Sequence, residues 1–209
     1  MKKIIVLCLI GLGLFSCKKE EPITINVEDL HGSVDKVTEI MIHDIFSPPV
    51  ASRIFAYPSI AAYEIVAMNN AEYQSLVGQV RGLTPIPVPK VKENINYQIS
   101  ALVAHMELNK KLIFSEDKME EYRDSLYANW KQQNEILFVA SEAYGLEVAE
   151  HITAWMKKDN YDQTRTMSKF TVDTDDPSRW QPTPPAYMDG IEPHWNEIRP
   201  FVLDSAQQF

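Results

Sequence analysis

The sequence predicts an all-α protein, a bundle of about five to six helices ending in a Pro-rich, aromatic, irregular C-terminal segment. Three observations point there. Apolar residues recur at helical spacing between residues 34 and 158, no stretch alternates as a half-buried strand would, and six prolines crowd residues 177 to 200.

The first helix carries Val34, Val37, Met41 and Ile45, with Thr38 and Ile42 beside them, and Ser33 reads as its N-cap. Ser47-Pro48-Pro49 ends it and opens a second helix, because proline suits a first turn and disfavours helix in the residue before it. That second helix, Val50 to Met68, is apolar nearly all round apart from Ser52, Arg53, Ser59 and Glu64, so burial is expected. Pro58 should kink or divide it near Tyr57. Thr84-Pro85-Ile86-Pro87-Val88-Pro89 then forms a short extended connector.

Ile95, Ile99, Leu102, Val103, Met106 and Ile113 define a third, amphipathic helix. Ser115, with Glu116 and Asp117 in the first turn, opens a fourth bearing Met119, Tyr122, Leu126 and Trp130 on one side. A fifth runs from about Glu135 to Lys158, with Ala140, Tyr144, Val148, Ile152 and Trp155 facing inward. Gly145 in its middle costs about 1 kcal/mol against Ala unless it allows close helix contact. After Asp173 the prolines prevent regular structure, while Trp180, Tyr187, Trp195 and Phe201 call for burial. The expectation is an ordered irregular segment lying on the helices, with Trp180, Trp195 and Phe201 largely buried.

Upstream of the helices, Met1-Lys2-Lys3 precedes a short apolar run, Ile4 to Phe15, that closes on Leu14-Phe15-Ser16-Cys17. The run is too short to span a bilayer. It resembles a lipoprotein signal, with residues 1–16 removed, Cys17 lipidated, residues 17–33 a tether and residues 34–209 the domain. Lys18 after the cysteine is not the inner-membrane retention residue, so an outer-membrane lipoprotein of the bacterial cell envelope is expected. Lys18-Lys19-Glu20-Glu21 resembles the tags of surface-exposed lipoproteins. With Cys8 in the signal and Cys17 lipidated, the mature domain has no thiol for a disulfide or a metal. Loss of Lys2 and Lys3 takes the net charge from −9 to −11, which excludes nucleic acid as a partner, since that needs a basic face.

His43-Asp44 is a candidate catalytic or metal pair, with Arg53 and Glu64 as neighbours, but a polar cluster satisfied inside the helical core is the preferred reading. Arg53 then needs a carboxylate such as Asp44 or Glu64, because a lone buried charge is very costly. A di-iron site requires Glu-x-x-His pairs, and Ile40, Leu102 and Val148 stand three before His43, His105 and His151. Glu147 and His151 share one helix face, an arrangement usual for a solvated salt bridge. Gly-x-Ser-x-Gly and Gly-rich phosphate loops are missing from the sequence.

Three stretches carry a resemblance: Ile42-His43-Asp44-Ile45-Phe46-Ser47-Pro48-Pro49-Val50-Ala51-Ser52-Arg53 with Tyr57-Pro58 and Ala61-Ala62-Tyr63-Glu64; Ser141 to Trp155; and Trp180-x-Pro182-Thr183-Pro184-Pro185-x-Tyr187 with Pro193-x-Trp195 and Arg199-Pro200-Phe201. Together they resemble exported bacterial members of the superfamily of type 2 phosphatidic acid phosphatases and vanadium-dependent haloperoxidases. That superfamily binds phosphate or vanadate through Lys-x6-Arg-Pro, Pro-Ser-Gly-His and Ser-Arg-x5-His, whose cations neutralise the oxyanion while its histidines act on the central atom and donate a proton. Here Glu192 stands where Lys would precede Arg199-Pro200, Ser52-Arg53 and Ser178-Arg179 lead to Ser59 and Pro185, and Pro-Ser-Gly-His does not occur. The resemblance therefore implies the N-terminal helical half of a membrane-anchored enzyme that hydrolyses phosphate esters or oxidises halide with peroxide. Its catalytic half and vanadate are expected beyond Phe209, and no catalytic, cofactor or metal residue is assigned within the chain. The alternative is a non-catalytic helical lipoprotein whose aromatic segment binds glycan or protein.

Overall fold

The computed structural model describes residues 22–90, 92 and 94–208; the signal of residues 1–16, Cys17 and the start of the tether lie outside them. Among the described residues five long helices form an all-α bundle without strands: α1 (Val27–His43), α2 (Pro48–Met68), α3 (Tyr97–Lys110), α4 (Glu116–Gln133) and α5 (Glu135–Met156). A one-turn helix, α6 (Tyr161–Thr164), and a 3-10 turn (Trp195–Glu197) follow. No helix among the described residues is long and apolar enough to cross a membrane.

The expected start of the first helix is corrected. α1 begins at Val27, not after Ser33, because Asn26 and Asp29 form a capping box in which each side chain takes the other's backbone N–H. Residues 27 to 33, read as tether, are thus two helical turns. Ser33 is buried within α1 rather than capping it. Pro58 neither divides nor ends α2, which runs on to Met68 with Pro58 buried in it.

The centre of the bundle is α3, not α2. Buried residues follow α3 all round, from Ile99 through Ser100, Ala101, Leu102, Val103 and Ala104 to His105 and Met106, whereas α2 exposes Ser52, Phe55 and Met68. Small side chains explain the difference, because Ser100, Ala101 and Ala104 let both α2 and α5 close on α3. Gly145 of α5 is where this is tightest: a Cβ there would lie 2.6 Å from the Ser100 carbonyl oxygen and 2.7 Å from Val103 Cβ. Its helix-propensity cost is offset by contact that alanine could not make. Asn96 caps α3 by accepting from the Gln98 and Ile99 amides. Asn134 caps α5 by accepting from Leu137.

His105 sits fully inside this packing. The Asn109 amide (3.2 Å) and the Ser33 hydroxyl (2.8 Å) both approach its Nδ1, which therefore accepts, leaving the ring neutral with its proton on Nε2. Burial lowers its pKa from 6.5 to about 4. The unfolded chain takes up that proton first, so the stabilisation is complete above pH 6.5 and is lost as pH falls towards 4. Urea unfolding at pH 7 and pH 4.5 should show the wild type losing roughly 2 kcal/mol more than His105→Gln, other titrations being common to both. Equal losses would contradict this role.

Candidate functional site

The polar residues singled out by sequence do not assemble into one site. His43 is exposed, not part of a buried cluster. Asp44 turns the other way and caps α4 from outside, accepting from the amides of Phe114 (3.0 Å) and Ser115 (2.9 Å) and from the Ser115 hydroxyl (2.5 Å). Burial works to raise its pKa, but these hydrogen bonds and neighbouring His43 prevail and hold it below the usual carboxylate value. Glu64 is buried and ties the following loop to α2 by accepting from the Ser75 hydroxyl (2.6 Å) and Leu76 amide (2.7 Å). His151 bonds through Nε2 to Thr84 rather than to Glu147. Among the described residues no three His, Cys, Asp or Glu side chains converge as a metal site would require.

Arg53 chooses a different partner from the two expected carboxylates. Its Nε donates to Asp159 Oδ2 at 2.8 Å, across 106 residues, with both side chains nearly enclosed. Around that pair a closed cluster forms. Tyr57, one turn along α2, donates its hydroxyl to the same Oδ2 (2.8 Å), and Asp159 Oδ1 accepts from the Tyr161 amide (2.9 Å). Burial, then the adjacent Asp159 carboxylate, pushes the Tyr57 hydroxyl well above its ordinary pKa and keeps it a donor. Arg199 completes the cluster from the C-terminal segment: one terminal nitrogen donates to Tyr57 Oη (3.0 Å), the other to the Trp155 carbonyl (3.2 Å), and its backbone amide to the Asp159 carbonyl (2.9 Å). The guanidinium carbons of Arg53 and Arg199 lie 4.3 Å and 4.6 Å from the ring centres of Tyr161 and Trp155.

The cluster determines how the C-terminal segment lies, and it splits that segment in two. Residues 195 to 203 are docked: Phe201 packs edge-on to Tyr57, Trp195 edge-on to Tyr161, and Arg81 donates its backbone amide to the Phe201 carbonyl (2.8 Å). Trp195 and Phe201 are half-buried. Trp180, expected to be largely buried, is 48% exposed, because its neighbour is Phe170 of the same segment and not a helix. Phe170, Trp180, Pro185, Met188 and Ile191 line an open cavity of about 590 Å³ there.

A phosphate- or vanadate-like oxyanion would need several uncommitted cations pointing to one place. Each of the six arginines is instead engaged: Arg53 with Asp159, Arg81 with Asp204, Arg123 with Glu107, Arg165 with Glu192, Arg179 with Asp173, and Arg199 as above. No set of arginines among the described residues is therefore left to converge on such a group.

No protein-family model and no curated protein matches the chain. Among solved structures, it is similar to a bacterial vanadium-dependent iodoperoxidase, with 71% sequence identity and a TM-score of 0.87 over 91% of this chain and 46% of that one. The chain thus spans about half the length of that relative.

Asp159→Asn should leave Arg53 buried without its countercharge and cost about 3–5 kcal/mol in urea unfolding. It should also raise amide exchange across residues 195 to 203. A stability within about 1 kcal/mol of wild type would show that the cluster is not what holds the segment.

Proposed function

We propose that this chain, which belongs to the vanadium-dependent haloperoxidase superfamily, is the helical N-terminal scaffold of an exported haloperoxidase, with iodide as the first halide to test. The observation that carries this reading is the 71% identity to the solved iodoperoxidase over 91% of the chain. Phosphate-ester hydrolysis is the other chemistry of the superfamily, and nothing among the described residues favours it.

In the intact enzyme, bound vanadate would activate peroxide for attack by halide. The cations that hold it are proposed to lie in sequence after Phe209, since the arginines described here are committed elsewhere. What this chain contributes is rigidity. The Asp159 cluster fixes the aromatic segment on α2 and α5, so that whatever follows Phe209 starts from a defined position. Cys17 is proposed to carry the lipid that anchors the protein at the outer membrane.

Three preparations test both parts of the proposal. The longer gene product, supplied with vanadate, peroxide and iodide, should form triiodide, and the 209-residue chain should not. Cys17→Ser should move the protein from the membrane pellet to the soluble fraction. Vanadate-inhibited phosphatase turnover without iodide oxidation would replace the haloperoxidase reading, turnover by the short chain would refute the scaffold reading, and unchanged pelleting would refute the anchor.

A further inference from the structure

Where α1 begins, the bundle carries an open groove of about 610 Å³, lined by Val27, Leu30 and Val34 of α1, Ala62 and Val66 of α2 and Leu102 of α3. Uncharged groups such as Ser59 and Gln98 supply its polar atoms, and no charged side chain is among its lining residues. Val27 (57%), Leu30 (38%) and Tyr73 (50%) are left exposed there. Tyr63 and Tyr73, which also line the groove, meet edge-on with ring centres 6.3 Å apart. A tyrosine has an apolar body and a polar tip, which suits it to a boundary between apolar phase and water. Isolated exposed apolar residues are ordinary; a group of them opening onto an apolar groove marks a binding surface.

What lies against it follows from where the chain enters the bundle. Ile23 is buried, and its carbonyl accepts from the Asn96 side-chain amide at 3.3 Å, so the entry point is fixed. A second cavity, lined by Pro22 and Ile23, shares Val66 and Gln98 with the groove, so entry point and groove stand side by side. Cys17 is five residues before Pro22, about 17 Å at full extension. With lipid on Cys17, the groove end of the bundle is held close to the bilayer surface. Ile42, which is also exposed (74%), lies twelve residues beyond Leu30, about 18 Å further along α1. Of these two apolar sites, the tether therefore brings the groove to the membrane. Glu28 and Glu72, exposed and next in sequence to Val27 and Tyr73, limit the contact to headgroup depth and favour zwitterionic over anionic lipid.

We propose that this groove, with Val27, Leu30 and Tyr73 at its mouth, is a lipid-binding face that seats on the bilayer holding the Cys17 anchor. The proposal rests on the reading of Cys17 as the lipidated residue. The anchor then supplies attachment, and the groove sets the orientation of the bundle.

The chain's cysteines are Cys8 and Cys17, so after signal removal and lipidation an introduced cysteine is its single free thiol. Val27→Cys, Tyr73→Cys and Ile42→Cys, each in the full chain purified with its lipid, are labelled with bimane. They are reconstituted into vesicles of phosphatidylcholine and phosphatidylethanolamine containing a nitroxide-bearing lipid. Emission from positions 27 and 73 should be lost to quenching by the nitroxide, and emission from position 42 should not. Equal quenching at all three positions, quenching at 42 alone, or no quenching at 27 and 73 would each overturn the proposal. Positions 27 and 73 lie on different elements, so the misfolding of one variant leaves the other to decide. Failure of the unmutated chain to pellet with the vesicles sinks the anchor reading and the groove with it, whereas pelleting without quenching at 27 and 73 sinks the groove alone.

Discussion

The fold depends on the enclosure of a single short helix. Residues 99 to 106 are all buried, and the approach of α5 at Gly145 leaves no room for even one methyl group beside the Ser100 carbonyl. Interiors packed to that density transmit position rather than absorb it. With α3 fixed, the ends of α2 and α5 are fixed too, and these present Arg53, Tyr57, Trp155 and Asp159 to one another. Buried ionic clusters contribute little net stability but become costly once one partner is lost. The Asp159 cluster therefore works as a register device, accepting the C-terminal segment in one arrangement only.

That use of charge separates scaffold from site. An oxyanion-binding enzyme holds cations unpaired and converging, with the anion as their partner. In this chain Arg53 and Arg199 meet in one place, yet Asp159 takes Arg53 Nε and the Tyr57 hydroxyl and Trp155 carbonyl take both terminal nitrogens of Arg199, so that of these donors only the buried Arg199 Nε is left without a partner. Two arginines and a tyrosine thus serve to attach the C-terminal segment rather than to hold an oxyanion.

Much of the architecture was legible in the sequence because helical periodicity and proline punctuation are local signals. All five long helices and the irregular tail follow from them. The start of α1 was not, since the capping pair Asn26 and Asp29 is a short-side-chain form of the usual signature, and Gly32 reads as tether until the Tyr122 hydroxyl is seen to stand where its Cβ would lie. The burial of α2 was legible from its apolarity, whereas the fuller enclosure of α3 was not, because it rests on the small size of Ser100, Ala101 and Ala104. The partner of Arg53 was beyond reach, because Asp159 lies 106 residues away and only packing brings them together. Trp180 shows that an aromatic residue can satisfy itself against its own segment. The superfamily itself was legible only through the Ile42 to Glu64 and Trp180 to Phe201 stretches, not through any reaction the described residues announce.

The central claim is that the arginines among the described residues are committed to structure, so that they do not gather around a tetrahedral anion. Vanadium-51 NMR of vanadate titrated with purified residues 22 to 209 measures this directly. The account predicts that the free-vanadate resonance keeps its position and width throughout the titration. A saturable, broadened bound resonance that is lost in Arg199→Ala would contradict it and move the oxyanion site into this half of the molecule.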